Sequence, residues 1–165
     1  MEQSPRYLGL DELVDTVSRL LNRLPVGAGE DRKELASRIT DGIKTLLQEH
    51  LGPGGIPFDV WQGKEGGAQP AHFFGADFYP DVAVDVAEQP TLALVLGCPG
   101  GRRGHQRELA TALGQALVCS QQYPAVVLCI IGKRTKGKDY QQLLARELQM
   151  SLWSQHRIRI VLRHL

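Results

Sequence analysis

Net charge of one sign is missing from this chain. Its 19 basic and 18 acidic residues leave +1 over 165 residues. That balance excludes a globally basic nucleic-acid coat and leaves room only for a local basic face. Cysteine is scarce: Cys98, Cys119 and Cys129 show no Cys-x-x-Cys spacing. An odd count in apolar segments argues against a secreted disulfide framework and predicts buried, reduced thiols. Long hydrophobic runs are missing too. No apolar run reaches the ~18 residues a bilayer span needs, so no membrane association is expected. The N-terminus carries acids and helical periodicity where a signal peptide would not, and a cytoplasmic location is the expectation. His50, His72, His105, His156 and His164 are scattered without metal-ligand spacing, which argues against a zinc site. No Ser–His–Asp arrangement, internal repeat or domain boundary is evident. Gly97-Cys98-Pro99-Gly100-Gly101 lacks a Walker lysine, and Cys98 has no assignable basic partner that would make it a nucleophile.

What is present is a chain long enough for one domain over 1–165, with 1–30 as an N-terminal helical extension. Apolar residues make up 42 %, too many for general disorder. Leu10, Leu13, Val14, Val17, Leu20, Leu21 and Leu24 recur at helical spacing and predict a helix over 9–24. Its stripe could pack on this domain or on a second copy. A second helix follows Glu30 and Asp31, with Leu35, Ile39, Ile43, Leu46 and Leu47 inward, and stops at Gly52-Pro53-Gly54-Gly55. Strands are expected at 56–61, 79–87, 91–98, 125–131 and 158–162. The strand at 79–87 alternates Val82, Val84, Val86 against Asp81, Ala83, Asp85, which predicts one apolar face. Residues 62–76 read as a loop, and Glu88-Gln89-Pro90 as a turn. Helices are expected over 105–122 and, after a capping box of Asp139 and Gln142, through about Trp153. A hairpin followed by strand–helix–strand crossovers makes a mixed α/β sheet with helices on both faces.

The stretch Phe78-Tyr79-Pro80-Asp81-Val82-Ala83-Val84-Asp85-Val86, then Leu92-Ala93-Leu94-Val95-Leu96-Gly97, resembles the active-site hairpin of the PD-(D/E)xK nuclease superfamily, the restriction-endonuclease-like fold. The element order from about residue 31 onward is similar to that family's core, with an extra N-terminal helix. Gly114-Gln115-Ala116-Leu117 leading to Tyr123-Pro124-Ala125-Val126-Val127 resembles its helix-to-strand passage. The resemblance implies a Pro-Asp at the start of one strand and an acidic residue and a lysine on the next. Pro80-Asp81 supplies the first; Val95 and Gly97 stand where the acid and the lysine belong. The resemblance thus implies a nuclease scaffold whose hydrolytic constellation has decayed.

Phosphodiester hydrolysis of this type needs a divalent cation held by carboxylates, water and substrate phosphate. Asp81 is the one remnant ligand. Asp85 lies four residues on, roughly 13 Å away at ~3.3 Å per residue, too far for one ion to bridge. A helical acid, Glu34 or Glu49, is the candidate for a migrated site. Asp81 read plainly is a strand-start residue that accepts a local backbone hydrogen bond. Two basic clusters follow strands: Arg102, Arg103, His105 and Arg107, and Lys133, Arg134, Lys136 and Lys138. If those strands are parallel, both clusters sit on one rim and would form a phosphate track; read plainly, they are solvated loops. Three functions follow as expectations. The first is a catalytically inactive nuclease-like domain, needing no cofactor, that binds nucleic acid or a partner protein in a nucleic-acid-handling or defence assembly. The second is an active Mg-dependent nuclease using Asp81 and a helical Glu. The third is an α/β regulatory or oligomerisation module.

Overall fold

The computed structural model describes residues 8–27, 29–98, 105–132 and 145–164. Among these, the elements run α1 (Leu10–Arg23), α2 (Arg32–Leu51), a short 3-10 turn (Gly52–Gly54), β1 (Phe58–Gln62), β2 (Ala71–Phe73), β3 (Ala76–Phe78), β4 (Val82–Val86), β5 (Gln89–Gly97), α3 (His105–Cys119), β6 (Ala125–Gly132), α4 (Arg146–His156) and β7 (Ile158–His164). The five long strands form one mixed sheet in the order β1-β4-β5-β6-β7. β1, β4 and β5 are antiparallel neighbours; β5, β6 and β7 run parallel. The expected mixed α/β sheet is therefore present. The Asp139–Gln142 capping box lies outside the described residues.

The apolar stripe of α1 packs on its own sheet. Leu13, Val14, Val17 and Leu21 are buried with Ile39, Ile43 and Leu47 of α2 against Val82, Val84, Leu92, Leu94 and Leu96. On the opposite face, Ala83, Ala93, Val95, Leu128 and Ile130 meet Ala112, Ala116 and Cys119 of α3. β4 is thus buried on both faces, correcting the single apolar face read from its alternation. Small Ala83, fully buried, lets the α3 layer close over the sheet. Arg38 ties the α1–α2 connection by donating to Glu30 and to the Pro25 carbonyl.

Three other expectations change. The loop over 62–76 contains β2, which pairs with β3 in a separate two-stranded hairpin. Cys98 is exposed just past β5, whereas Cys119 and Cys129 are buried. Burial pushes the Cys119 and Cys129 thiols up to about 12, so they stay protonated and inert. The turn closing β4–β5 is Ala87–Glu88, while Gln89 and Pro90 belong to β5. Pro90 has no N–H to give, and the ladder shifts register beside it, between Val84 and Asp85. At the shift the Val86 amide donates to the Thr91 hydroxyl at 3.2 Å.

Ala87 and Glu88 have φ of 52° and 63°, the mirror-image turn that fits a twisted hairpin but suits Asn-Gly. Non-glycine residues there cost about 1–2 kcal/mol each. Ala87→Asn with Glu88→Gly should raise stability by roughly 1–2 kcal/mol after the added chain entropy of glycine. A thermal melt should move up by about 2–8 °C. A melt that stays put or falls would rule out this turn.

Candidate functional site at the sheet rim

β4 starts at the edge where β5 and β6 end, and Asp81 stands at that start. Its amide donates to the Leu94 carbonyl at 2.9 Å, and its own carbonyl accepts from Gly63 at 3.0 Å. Its side chain accepts from the Leu96 amide at 2.7 Å, the backbone bond expected of a strand-start aspartate. The same carboxylate is gripped by Arg32, with Nε to Oδ1 at 2.8 Å and Nη2 to Oδ2 at 2.7 Å. The hydrogen bond to Asp81 holds the Arg32 guanidinium above its ordinary value. Three donors therefore occupy the two oxygens, and a fixed monocation stands where a metal would begin its coordination.

Arg32 opens α2, and Lys33 follows it. Cations in a helix's first turn oppose the dipole, so their presence there is a sequence signal that they serve something else. Asp31, the N-cap, makes no side-chain capping bond. A groove of about 610 Å³ lies beside the clasp, walled by Gln62–Gly66 on one side and Tyr79–Asp81 on the other, with Asp31, Arg32, Lys33 and Ala36 along its floor. Lys33 pairs with Glu65 at 2.8 Å, and Lys64 sits 5.5 Å over the Tyr79 ring.

The remaining motif positions face elsewhere. Val95 is 1 % exposed, within the α3 layer. A Cβ added to Gly97 would meet the Ala112 Cβ at 3.1 Å and the Ile130 Cγ1 at 3.4 Å. α3 and β6 thus crowd any side chain at this position. Asp85 is buried in the sheet, where the Trp61 indole donates to its Oδ2 at 3.0 Å and its Oδ1 has no hydrogen-bond partner among the described residues. Glu34 is exposed on α2, about 200° around the helix from Arg32, and does not line the groove. Glu49 lines a separate depression beside β1, roughly 25 Å along the helix from Arg32. Among the described residues, no group of three or more His, Cys, Asp or Glu is placed to hold a metal ion.

β5 and β6 are parallel, with Gly97 opposite Ile130, so the segments that follow them leave the same rim as Asp81. Arg102, Arg103, Lys133, Arg134, Lys136 and Lys138 lie outside the described residues. Arg107 is exposed in the first turn of α3. Arg32, Lys64 and Tyr79 join the site from stretches read in the sequence only as a helix start, a loop and a strand start.

Compared with known proteins, the chain matches no family model, no curated protein and no solved structure. The nuclease likeness rests on Pro80-Asp81, the hairpin and the element order.

Asp81→Ala would leave Arg32 without its carboxylate and the Leu96 amide without its acceptor. The cost should be about 1–3 kcal/mol, the range for an orphaned polar partner. Glu65→Ala, at an exposed pair, should leave the melt unchanged. Equal melting of Asp81→Ala and wild type would dismiss the clasp as a structural element.

Proposed function

We propose that this chain is a nuclease-like scaffold that binds nucleic acid without cutting it. The observation that carries the reading is the Arg32–Asp81 clasp. A carboxylate that would anchor a catalytic metal is engaged by a guanidinium, so the rim holds a neutral arginine–aspartate pair in place of a hydrolytic ion. Arg32 uses Nε and Nη2 on Asp81, and its side chain is still 46 % exposed, so its remaining donors are available to a phosphate. Lys33, paired with Glu65, and Lys64 line the same groove, and β5 and β6, which the two basic segments follow in the sequence, end at the same edge.

Backbone phosphates recognised this way give affinity with little sequence preference. Binding should be measured by fluorescence anisotropy from low to physiological salt. Log affinity should fall with log salt by about 0.9 per phosphate contact on duplex DNA, and three to six contacts would make binding steep and weak. Changing Lys133, Arg134 and Lys136 together to Glu should weaken binding to all sequences alike and flatten that slope. Neither DNA nor RNA should be cleaved with Mg²⁺ or Mn²⁺. Cleavage lost on Asp81→Ala would replace this reading with a migrated hydrolytic site; no binding by wild type at low salt would end the nucleic-acid reading.

A further inference from the structure

The hairpin β2–β3 carries the largest exposed apolar group among the described residues. Phe74 is 94 % exposed and Phe73 46 % exposed. Their rings meet edge to face, with centroids 4.5 Å apart and planes at 76°. Phe73 pairs with Ala76 across the ladder, so Phe74 and Gly75 form the two-residue tip. Their φ values are 48° and 74°, a turn that favours Asn-Gly. An aromatic residue there sits in an unfavourable backbone region and contributes nothing to the core.

The base of the hairpin is firm. Ala71 is fully buried, and the Tyr123 hydroxyl donates to the Gln69 carbonyl at 2.7 Å. His72 and Asp77 pair across the ladder at 2.6 Å. The two walls of the rim groove, Gln62–Gly66 and Tyr79–Asp81, are the chain entering and leaving this hairpin. The tip is therefore a rigid aromatic projection continuous with the groove.

We infer that Phe73 and Phe74 form a stacking wedge for the unpaired bases of single-stranded nucleic acid. This rests on the nucleic-acid reading of the rim. Size decides against a folded protein or a second copy: the exposed ring surface is on the order of 200–350 Å², against the ~800 Å² per partner of a stable interface. The tip is flanked by polar His72 and Asp77. No lysine or arginine occurs from Ala68 to Asp81, the opposite of the basic flank that holds an element on an anionic bilayer. Two rings match one or two bases, and every base presents a stacking face. The rim then supplies the charge and the hairpin supplies the stacking.

The test uses Phe74→Asn alone and combined with Phe73→Ser. Asn-Gly suits the turn, so Phe74→Asn should melt at or above wild type. Its affinity for single-stranded DNA or RNA should drop by between about 5- and 150-fold for one lost stack. Duplex affinity and the salt slope should stay as in wild type, because no charge is changed. Wild type that binds while Phe74→Asn and the double variant bind single strands equally well would overturn the wedge and leave the rim reading intact. Wild type that binds no nucleic acid at low salt would overturn both. Sedimentation of wild type, but not of the double variant, with phosphatidylcholine–phosphatidylserine vesicles would assign the tip to a membrane and overturn the wedge.

Discussion

Asp81 ties together four parts of the molecule through one residue. Its amide and carboxylate fix it to β5, its carbonyl holds the turn after β1 through Gly63, and its carboxylate holds the first residue of α2. These bonds converge beside the groove. Arg32 is a long side chain at a helix start, a place where it would ordinarily wander in solvent at an entropic cost for any ordered state. Two hydrogen bonds to one carboxylate fix its plane and direction. What reaches the groove is consequently an oriented guanidinium paired with its carboxylate.

That arrangement also determines what chemistry the rim favours. A divalent cation would have to compete with a covalently tethered guanidinium for the same two oxygens. Beyond Asp81, the side chains at the corresponding strand positions cannot help: Val95 has no oxygen, and the direction of Gly97 is filled by α3. Asp85, the other carboxylate of β4, is committed to the interior and bonded to Trp61. Val95 and Gly97, standing where the resemblance would put an acid and a lysine, are thus used to pack against α3, and Asp81 is held by Arg32.

Periodicity made most of the fold readable. The leucines of α1 and the isoleucines of α2 fall on one face because a helix buries every third or fourth residue, and the continuous runs of β5 and β6 reflect strands covered on both sides. β4 was harder. Alternation of valine with alanine and aspartate looks half-solvated, yet alanine is small enough to be covered and Asp85 is kept by one indole bond. The β2–β3 hairpin escaped because its strands have three residues each and its turn is Phe-Gly, without a turn signature. Asp81 was legible as a strand-start residue and its Arg32 partner was not, since 49 residues separate them and only the fold brings them together.

The near-zero net charge of the chain is compatible with a basic rim once the distribution of charge is considered. Segments 99–104 and 133–144 contain six basic residues and one acidic residue, Asp139. A total of +1 then requires the remainder of the chain to be net acidic. At the clasp the cations of the α2 start are balanced, Arg32 by Asp81 and Lys33 by Glu65. Under the proposed nucleic-acid reading, a net-acidic remainder and basic residues concentrated in two segments would favour a polyanion near those segments over the rest of the chain. With so low an overall charge, indiscriminate coating of nucleic acid is disfavoured, and the proposed binding would depend on where the cations stand and not on their number.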